Sequence, residues 1–243
     1  GAEFIKKSYD FDSNSGEKFD IADDVGRASD FNLLTNYADQ TKIRHPLAYD
    51  VFREAGVPST LAYTVSVHQN GEFFGLYDFI EEGDEEQLRR LGLDENNSLY
   101  KVNNRLTSVL TNVEQKAGID TSRSDLQEVV DAEALSGTAA TNWFWDHMDM
   151  ADFANYIAVN NLLRNHDFGH KNMYWYNDNS GTELWSVLPW DSDLTFGHNW
   201  TENVTPSYFD NTLYTTQTSG GFKDLFQNIF PNSEFGARGD RRW

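Results

Sequence analysis

No cysteine occurs among the 243 residues, so disulfides and thiolate–zinc sites are excluded. That absence does not fix a compartment, although it is common in secreted bacterial proteins that avoid redox chemistry. No apolar run approaches the ~20 residues of a membrane-spanning helix. Positive charge is scarce as well: 19 Lys and Arg stand against 39 Asp and Glu, giving a net charge of −20 and a pI near 4.5. A surface so short of Lys and Arg argues against a nucleic-acid partner, because phosphate-backbone binding relies on them. It favours a basic peptide substrate or divalent cations, or else serves solubility in a salty or extracellular setting. No signal peptide is recognisable and there is no initiating Met. The sequence begins at Gly1 inside a strand-like pattern and ends at Arg241-Arg242-Trp243 in mid-pattern, so it reads as a piece of a longer protein.

What is present is globular in character. Hydrophobic residues make up 39% and aromatics 14%, enough for a packed core and unlike a disordered chain. The length allows one domain or two closely joined lobes. Phe4 to Phe11 alternates with period two, with Ile5, Lys7, Tyr9 and Phe11 on one face and Lys6 on the other. Arg44 to Ala55 reads as a helix with an apolar stripe of Leu47, Ala48, Val51, Phe52 and Ala55, stopped by Gly56 and Pro58. Leu61 to Val67 and Phe73 to Ile80 read as strands joined at Asn70-Gly71, a favoured hairpin turn. The acidic run Glu81 to Glu86 reads as solvated surface whose position also suits a hinge. From Asp84 to Asp149 the reading is loop and helix, with helices at Leu88 to Leu91, Leu106 to Lys116 and Leu126 to Leu135. Asp152 to Arg164 carries the strongest helical periodicity.

That helix leads into Asn165-His166-Asp167-Phe168-Gly169-His170-Lys171-Asn172, and Pro189-Trp190-Asp191-Ser192-Asp193 follows. Asp167 and Asn172 have the internal spacing of a protein-kinase catalytic loop, in which an Asp orients the acceptor hydroxyl and an Asn holds a metal. Met173 to Tyr176 and Trp185 to Trp190 read as strands around the turn signal Asn177 to Gly181. Antiparallel pairing would bring Asn172 and Asp191 together and aim two carboxylates and one amide at the same nucleotide. A loop Asp is more often a cap or turn former; the surroundings are what raise this one. His166 and His170 with the Asp could make a transition-metal site, although a packing role for His166 is the simpler reading. Lys7, on the apolar side of its strand, is unusual for a lysine; it either holds phosphates, as in kinases, or guards an edge strand.

Together these residues resemble the CotH kinase family, spore-coat and secreted-protein kinases of atypical kinase fold. The likeness is carried by Lys6-Lys7-Ser8-Tyr9, Ala48 to Pro58, Asn70 to Tyr77, Asn165-His166-Asp167 with Asn172-Met173-Tyr174, and Pro189 to Gly197, in the family's order. Leu99-Tyr100-Lys101 also resembles a family segment, with no role assigned to Lys101. The resemblance implies an α+β, two-lobed, atypical protein-kinase-like fold. A small antiparallel β-rich lobe would cover residues 1–82, lacking a preceding Gly-rich strand, and a larger mainly helical lobe residues 83–243. It implies Mg²⁺-dependent phosphoryl transfer from ATP to Ser or Thr hydroxyls of a secreted or surface bacterial protein, with Mn²⁺ or Ca²⁺ as alternative ions. By the same resemblance Asp167 is the catalytic Asp, and Asp191 and Asn172 are metal ligands with Asp193 in support. Lys7, or else Lys6, holds phosphate, and Glu54 pairs with it.

Two other classes compete. Asp191-Ser192-Asp193 is an Asp-x-Asp motif, as in metal-dependent glycosyltransferases, but those require a parallel βαβ sheet before the motif. A non-catalytic surface adhesin could use the seven Trp and eleven Tyr, most of which are more simply core. Arg238-Gly239-Asp240 reads as chance. The sequons at Asn96, Asn199 and Asn203 matter only in a eukaryotic secretory host.

Overall fold

The computed structural model describes residues 6–198 apart from 15–16, 23–25, 105, 136, 166 and 170. The readings for Phe4, Ile5, His166, His170, the sequons at Asn199 and Asn203 and the tripeptide at Arg238 lie outside the described residues.

Among the described residues, two antiparallel four-stranded sheets and five helices make an α+β architecture. The first sheet has the order β1-β4-β6-β5, from β1 (Tyr9–Asp12), β4 (Asp30–Leu34), β5 (Ala62–Gln69) and β6 (Glu72–Glu81). A separate hairpin joins β2 (Phe19–Ala22) to β3 (Gly26–Ala28). The expected β5–β6 hairpin is present, and Asn70 and Gly71 take φ of 53° and 87° at its turn, as a type I′ turn demands. Register divides the sheet's faces. Tyr9, Leu33, Phe79 and Tyr63 lie opposite one another on one face, and Asp10, Asn32, Ile80 and Ala62 on the other. The first face is aromatic, with Phe11 on Phe31 at 4.9 Å and Phe31 on Phe79 at 5.0 Å between ring centroids. The second carries the polar groups Asp10, Asn32 and Asp78.

Helix α1 (Arg44–Glu54) packs through His45, Ala48, Tyr49 and Phe52. Its N-terminal amides find a cap in Asp39, whose Oδ2 accepts from Ile43 N and Arg44 N at 3.1 and 2.9 Å. It stops at Gly56 with φ of 79°. There Gly56 N donates to Arg53 O and Val57 N to Phe52 O, the Schellman pattern that glycine permits. Helix α2 (Glu85–Leu91) is capped by Asp84, which accepts from Gln87 N.

The second sheet has the order β10-β9-β7-β8, from β7 (Ser98–Val102), β8 (Val113–Ala117), β9 (Met173–Asn177) and β10 (Trp185–Pro189). The hairpin expected from residues 173 to 190 is therefore present, but residues 106 to 116 are not a helix. Val113–Ala117 pairs with β7 instead; the non-local ladder overrides a weak local propensity. Helices α3 (Ser124–Ala132), α4 (Gly137–His147) and α5 (Met150–Leu162) complete the unit. Every residue of β9 is buried, because both faces are covered. Met173 and Trp175 join a large core with Phe52, Phe144, Phe153 and Tyr156. Tyr174 and Tyr176 join a smaller one with Leu88 of α2 and Leu99.

The acidic run is not solvated where it joins the sheets: Glu81, Glu82 and Asp84 are all buried. Glu81 is paired with Arg90, and Glu82 with Lys101 and Lys116. Gly83 N donates to the Tyr174 hydroxyl at 3.2 Å. Among the described residues no helix is long and apolar enough to cross a membrane.

Candidate active site

Helix α5 ends in a chain of side-chain amides that fixes the loop after it. Asn160, fully buried, accepts from Asn165 Nδ2 at 2.9 Å. Asn165 Oδ1 in turn accepts from Asp167 N at 3.0 Å. Asp167 is buried, and its Oδ2 receives Asn172 Nδ2 at 3.0 Å and Lys171 Nζ at 2.7 Å. The Asp–Asn spacing thus closes a compact loop with the carboxylate held from two sides. With Nδ2 engaged on Asp167, the amide oxygen of Asn172 is the atom left for a cation.

The β9–β10 register brings the second loop alongside. Met173 lies opposite Pro189, and Trp190 N donates to Asn172 O at 3.0 Å. Asn172 lies beside Trp190 at the strand ends, and both Asn172 and Asp191, the residue after Trp190, are left-handed, with φ of 60° and 51°, a conformation that concentrates at functional sites in non-glycine residues. Burial pushes the carboxyl of Asp191 up, and the charge of Asp167 pushes it further. Burial does the same to Asp193, with Asp191 and Asp167 adding repulsion. Three carboxylates from two loops therefore lie within electrostatic reach of one another. Among the described residues, no three His, Asp or Glu side chains converge closely enough to form a ready-made metal cage. That donor set fits Mg²⁺, which is held by one or two carboxylates together with substrate phosphates and water.

The lysines are arranged differently from the sequence expectation. Lys7 is exposed. Lys6 lies on the Tyr77 ring with Nζ 3.9 Å from its centroid, and donates to Leu76 O. Tyr77 shares the sheet face of Tyr9 and Phe79, so Lys6 lies over that aromatic face, with its ammonium within electrostatic reach of Asp78. Glu54 is exposed at the far end of α1 and has no ion pair with either lysine.

Sequence reasoning missed five groups, three of them lysines. Lys171 belongs to the loop motif but carried no role. Lys101 of β7 sits with Nζ 4.0 Å from the centroid of Trp190, next to Asp191, and 2.8 Å from Glu82 Oε1. Lys116 reaches the same oxygen at 2.9 Å. One carboxylate thus faces two ammonium groups and leaves a surplus positive charge beside Asp191. The other two are His45 and Asp78: His45 Nε2 accepts from Ser192 N at 2.9 Å, and Asp78 stands behind it. A buried His in a helix gives no sequence signal for a partner 147 positions away.

Residues 2–243 match the family described as CotH kinase protein. The chain is 25% identical, over 248 residues, to the inner spore coat protein H of Bacillus subtilis (strain 168). That alignment covers 96% of this chain and 64% of the relative, so the chain spans somewhat under two thirds of the relative's length. With a family match over nearly its whole length, this chain belongs to the CotH kinase protein family.

Proposed function

We propose that the chain transfers the γ-phosphoryl group of ATP to Ser or Thr hydroxyls of a protein acceptor, in a Mg²⁺-dependent reaction on a two-lobed, kinase-like fold divided near residues 82 and 83. The observation that carries this reading is the meeting of Asp167, Asn172, Asp191 and Asp193 at the mouth of the β9–β10 hairpin. In-line phosphoryl transfer is chiefly positioning and charge stabilisation, and the residues divide along those lines. Asp167, oriented by Asn172 and Lys171, holds the acceptor hydroxyl and takes its proton late. Asp191 and the Asn172 amide oxygen would hold Mg²⁺, with Asp193 in support; Mn²⁺ or Ca²⁺ would fit the same hard oxygen set. When bound, the ion supplies charge neutralisation of the β- and γ-phosphates. Lys101 and Lys171 stand beside Asp191 and offer ammonium groups to the phosphates. Lys6 and Lys42 flank Asp78 on the other side and take the role expected of Lys7; Glu54 has no part in it.

A surface-binding module without catalysis is the second reading, favoured by the exposed Tyr9, Phe11, Phe19, Phe73 and Phe74 on the first sheet and its hairpin. A glycosyltransferase is not favoured, since both sheets are antiparallel throughout. The spore-coat relative supports a bacterial coat, surface or secreted location. The acceptor is a protein, and the acidic surface suits a basic one.

Incubation with MgATP and mass spectrometry for autophosphorylation, with Asp167→Asn and Asp191→Ala beside the parent, tests the proposal. Phosphate incorporation by the parent and its loss in both variants is the expected result. Incorporation by Asp191→Ala at the parent rate would refute it.

A further inference from the structure

His45 is fully enclosed in the first turn of α1, and its Nε2 accepts the Ser192 amide at 2.9 Å. A backbone N–H can only donate, so Nε2 must present its lone pair and the proton must sit on Nδ1. Nδ1 is buried without a hydrogen-bond partner and faces Asp78 Oδ2 at 3.9 Å. Asn36 Nδ2 holds that same oxygen at 2.6 Å. One turn further along α1, Tyr49 stacks on His45 at 5.1 Å between centroids and lies against Asp191 and Ser192. A buried polar chain therefore runs from Asn36, through Asp78 on β6 and His45 on α1, to the amide between Asp191 and Asp193.

Asp191 sits in the left-handed region, so its backbone must be held from outside. Ser192 O accepts from Thr195 Oγ1 at 2.9 Å, which braces the loop on itself. The His45 bond ties it to α1, whose next turn also places Tyr49 against Asp191 and Ser192. A hydrophobic residue at position 45 would fill the space but leave the Ser192 donor unpaired in a buried site.

We propose that His45 is a positioning residue for cation binding: its imidazole, locked in one tautomer, fixes the Ser192 amide and with it the directions of the Asp191 and Asp193 carboxylates. The inference rests on the proposed role of those two carboxylates as cation ligands. It separates His45 from a merely enclosed histidine, which would influence folding and leave the metal requirement unchanged.

The test is a MgCl₂ titration of autophosphorylation by the 243-residue chain at saturating ATP, for the parent, His45→Ala, His45→Gln and Asp191→Ala. His45→Ala should need at least about tenfold more Mg²⁺ for half-maximal rate. His45→Gln, whose side-chain oxygen can accept the Ser192 amide, should recover most of that loss. An unchanged Mg²⁺ requirement in His45→Ala, with activity abolished by Asp191→Ala, overturns the His45 inference alone. A parent with no Mg²⁺-dependent activity overturns it together with the proposed function. Because His45→Ala can fail to fold, NMR of the uniformly ¹⁵N-labelled, unsubstituted chain provides an independent check. The expected spectrum has protonated Nδ1 and unprotonated Nε2 at neutral pH, with Nε2 and the Ser192 amide shifting on addition of MgATP. The opposite tautomer, or a Ser192 amide indifferent to MgATP, overturns the inference.

Discussion

Replacing Glu82 by glutamine would remove one negative charge from between two ammonium groups while keeping the shape of the side chain. In the native structure Glu82 Oε1 lies 2.8 Å from Lys101 Nζ and 2.9 Å from Lys116 Nζ, and Oε2 accepts from Asn32 Nδ2 at 2.6 Å. Its side chain is 8% exposed, that of Lys101 12% and that of Lys116 23%. At 2.8 Å and an effective dielectric constant of ~20, each pair has a Coulomb energy of ~6 kcal/mol before desolvation. Loss of one partner from a buried pair costs ~3–5 kcal/mol, because the other is left uncompensated. Lys116 can turn toward water and Lys101 cannot, so the lower end applies, about 3 kcal/mol. For a chain of this size that lowers Tm by about 6–12 °C. Lys116→Gln leaves Lys101 and Glu82 paired one to one and should cost under ~1 kcal/mol. The pH dependence has a definite sign. Burial raises the Glu82 carboxyl, but the two lysines outweigh it and hold it below its ordinary value. Its stabilising contribution is therefore complete above the unfolded-state value and disappears as pH falls through the folded one. Thermal unfolding of the three proteins at pH 7 and at pH 3.5 checks this. Equal losses in Glu82→Gln and Lys116→Gln, or a Glu82→Gln deficit that persists undiminished in acid, would refute the asymmetric-charge reasoning.

Asp84→Asn should stabilise the fold at pH 7.5. Burial, aided by Asp30 and Glu81, pushes Asp84 up to about 6, so its ionised form is penalised and stability declines as pH rises through that value; asparagine keeps the cap on α2. The gain is at most about 3 kcal/mol and should vanish near pH 4, read from Tm at both pH values. Gly83→Ala places a methyl group 2.4–2.8 Å from the Tyr174 phenol; in a packed core that costs ~1–3 kcal/mol, visible as a lower urea midpoint. Lys171→Met should reduce the autophosphorylation rate on the order of 10²-fold with little change in Tm, since Lys171 is partly exposed.

The site was legible where its residues lie in one continuous pattern. Asn172 and Asp191 bracket two aromatic strands around a turn, so pairing alone brings them together. Helix α1 was equally plain, because Gly56 and Pro58 end an apolar stripe. The second sheet was only half visible: β7 and β8 are five residues each, and their pairing with one another and with β9 is non-local. The two lysines precede β1, so strand alternation could not orient them: Lys6 lies on the Tyr77 ring and Lys7 is exposed. Lys101 and His45 gave no signal because their partners, Glu82 and Ser192, come from other elements. The match to the CotH family, expected from the ordered motifs, holds over residues 2–243.

The joint between the two sheets has a mechanical consequence. Glu82 grips two lysines of the second sheet, Gly83 is bonded to a tyrosine at its centre, and Arg90 clasps Glu81. Swinging one sheet away from the other would have to tear all of these at once. Bending at residues 81–84 is therefore opposed from several sides, so their amide protons should rank among the slowest to exchange with solvent.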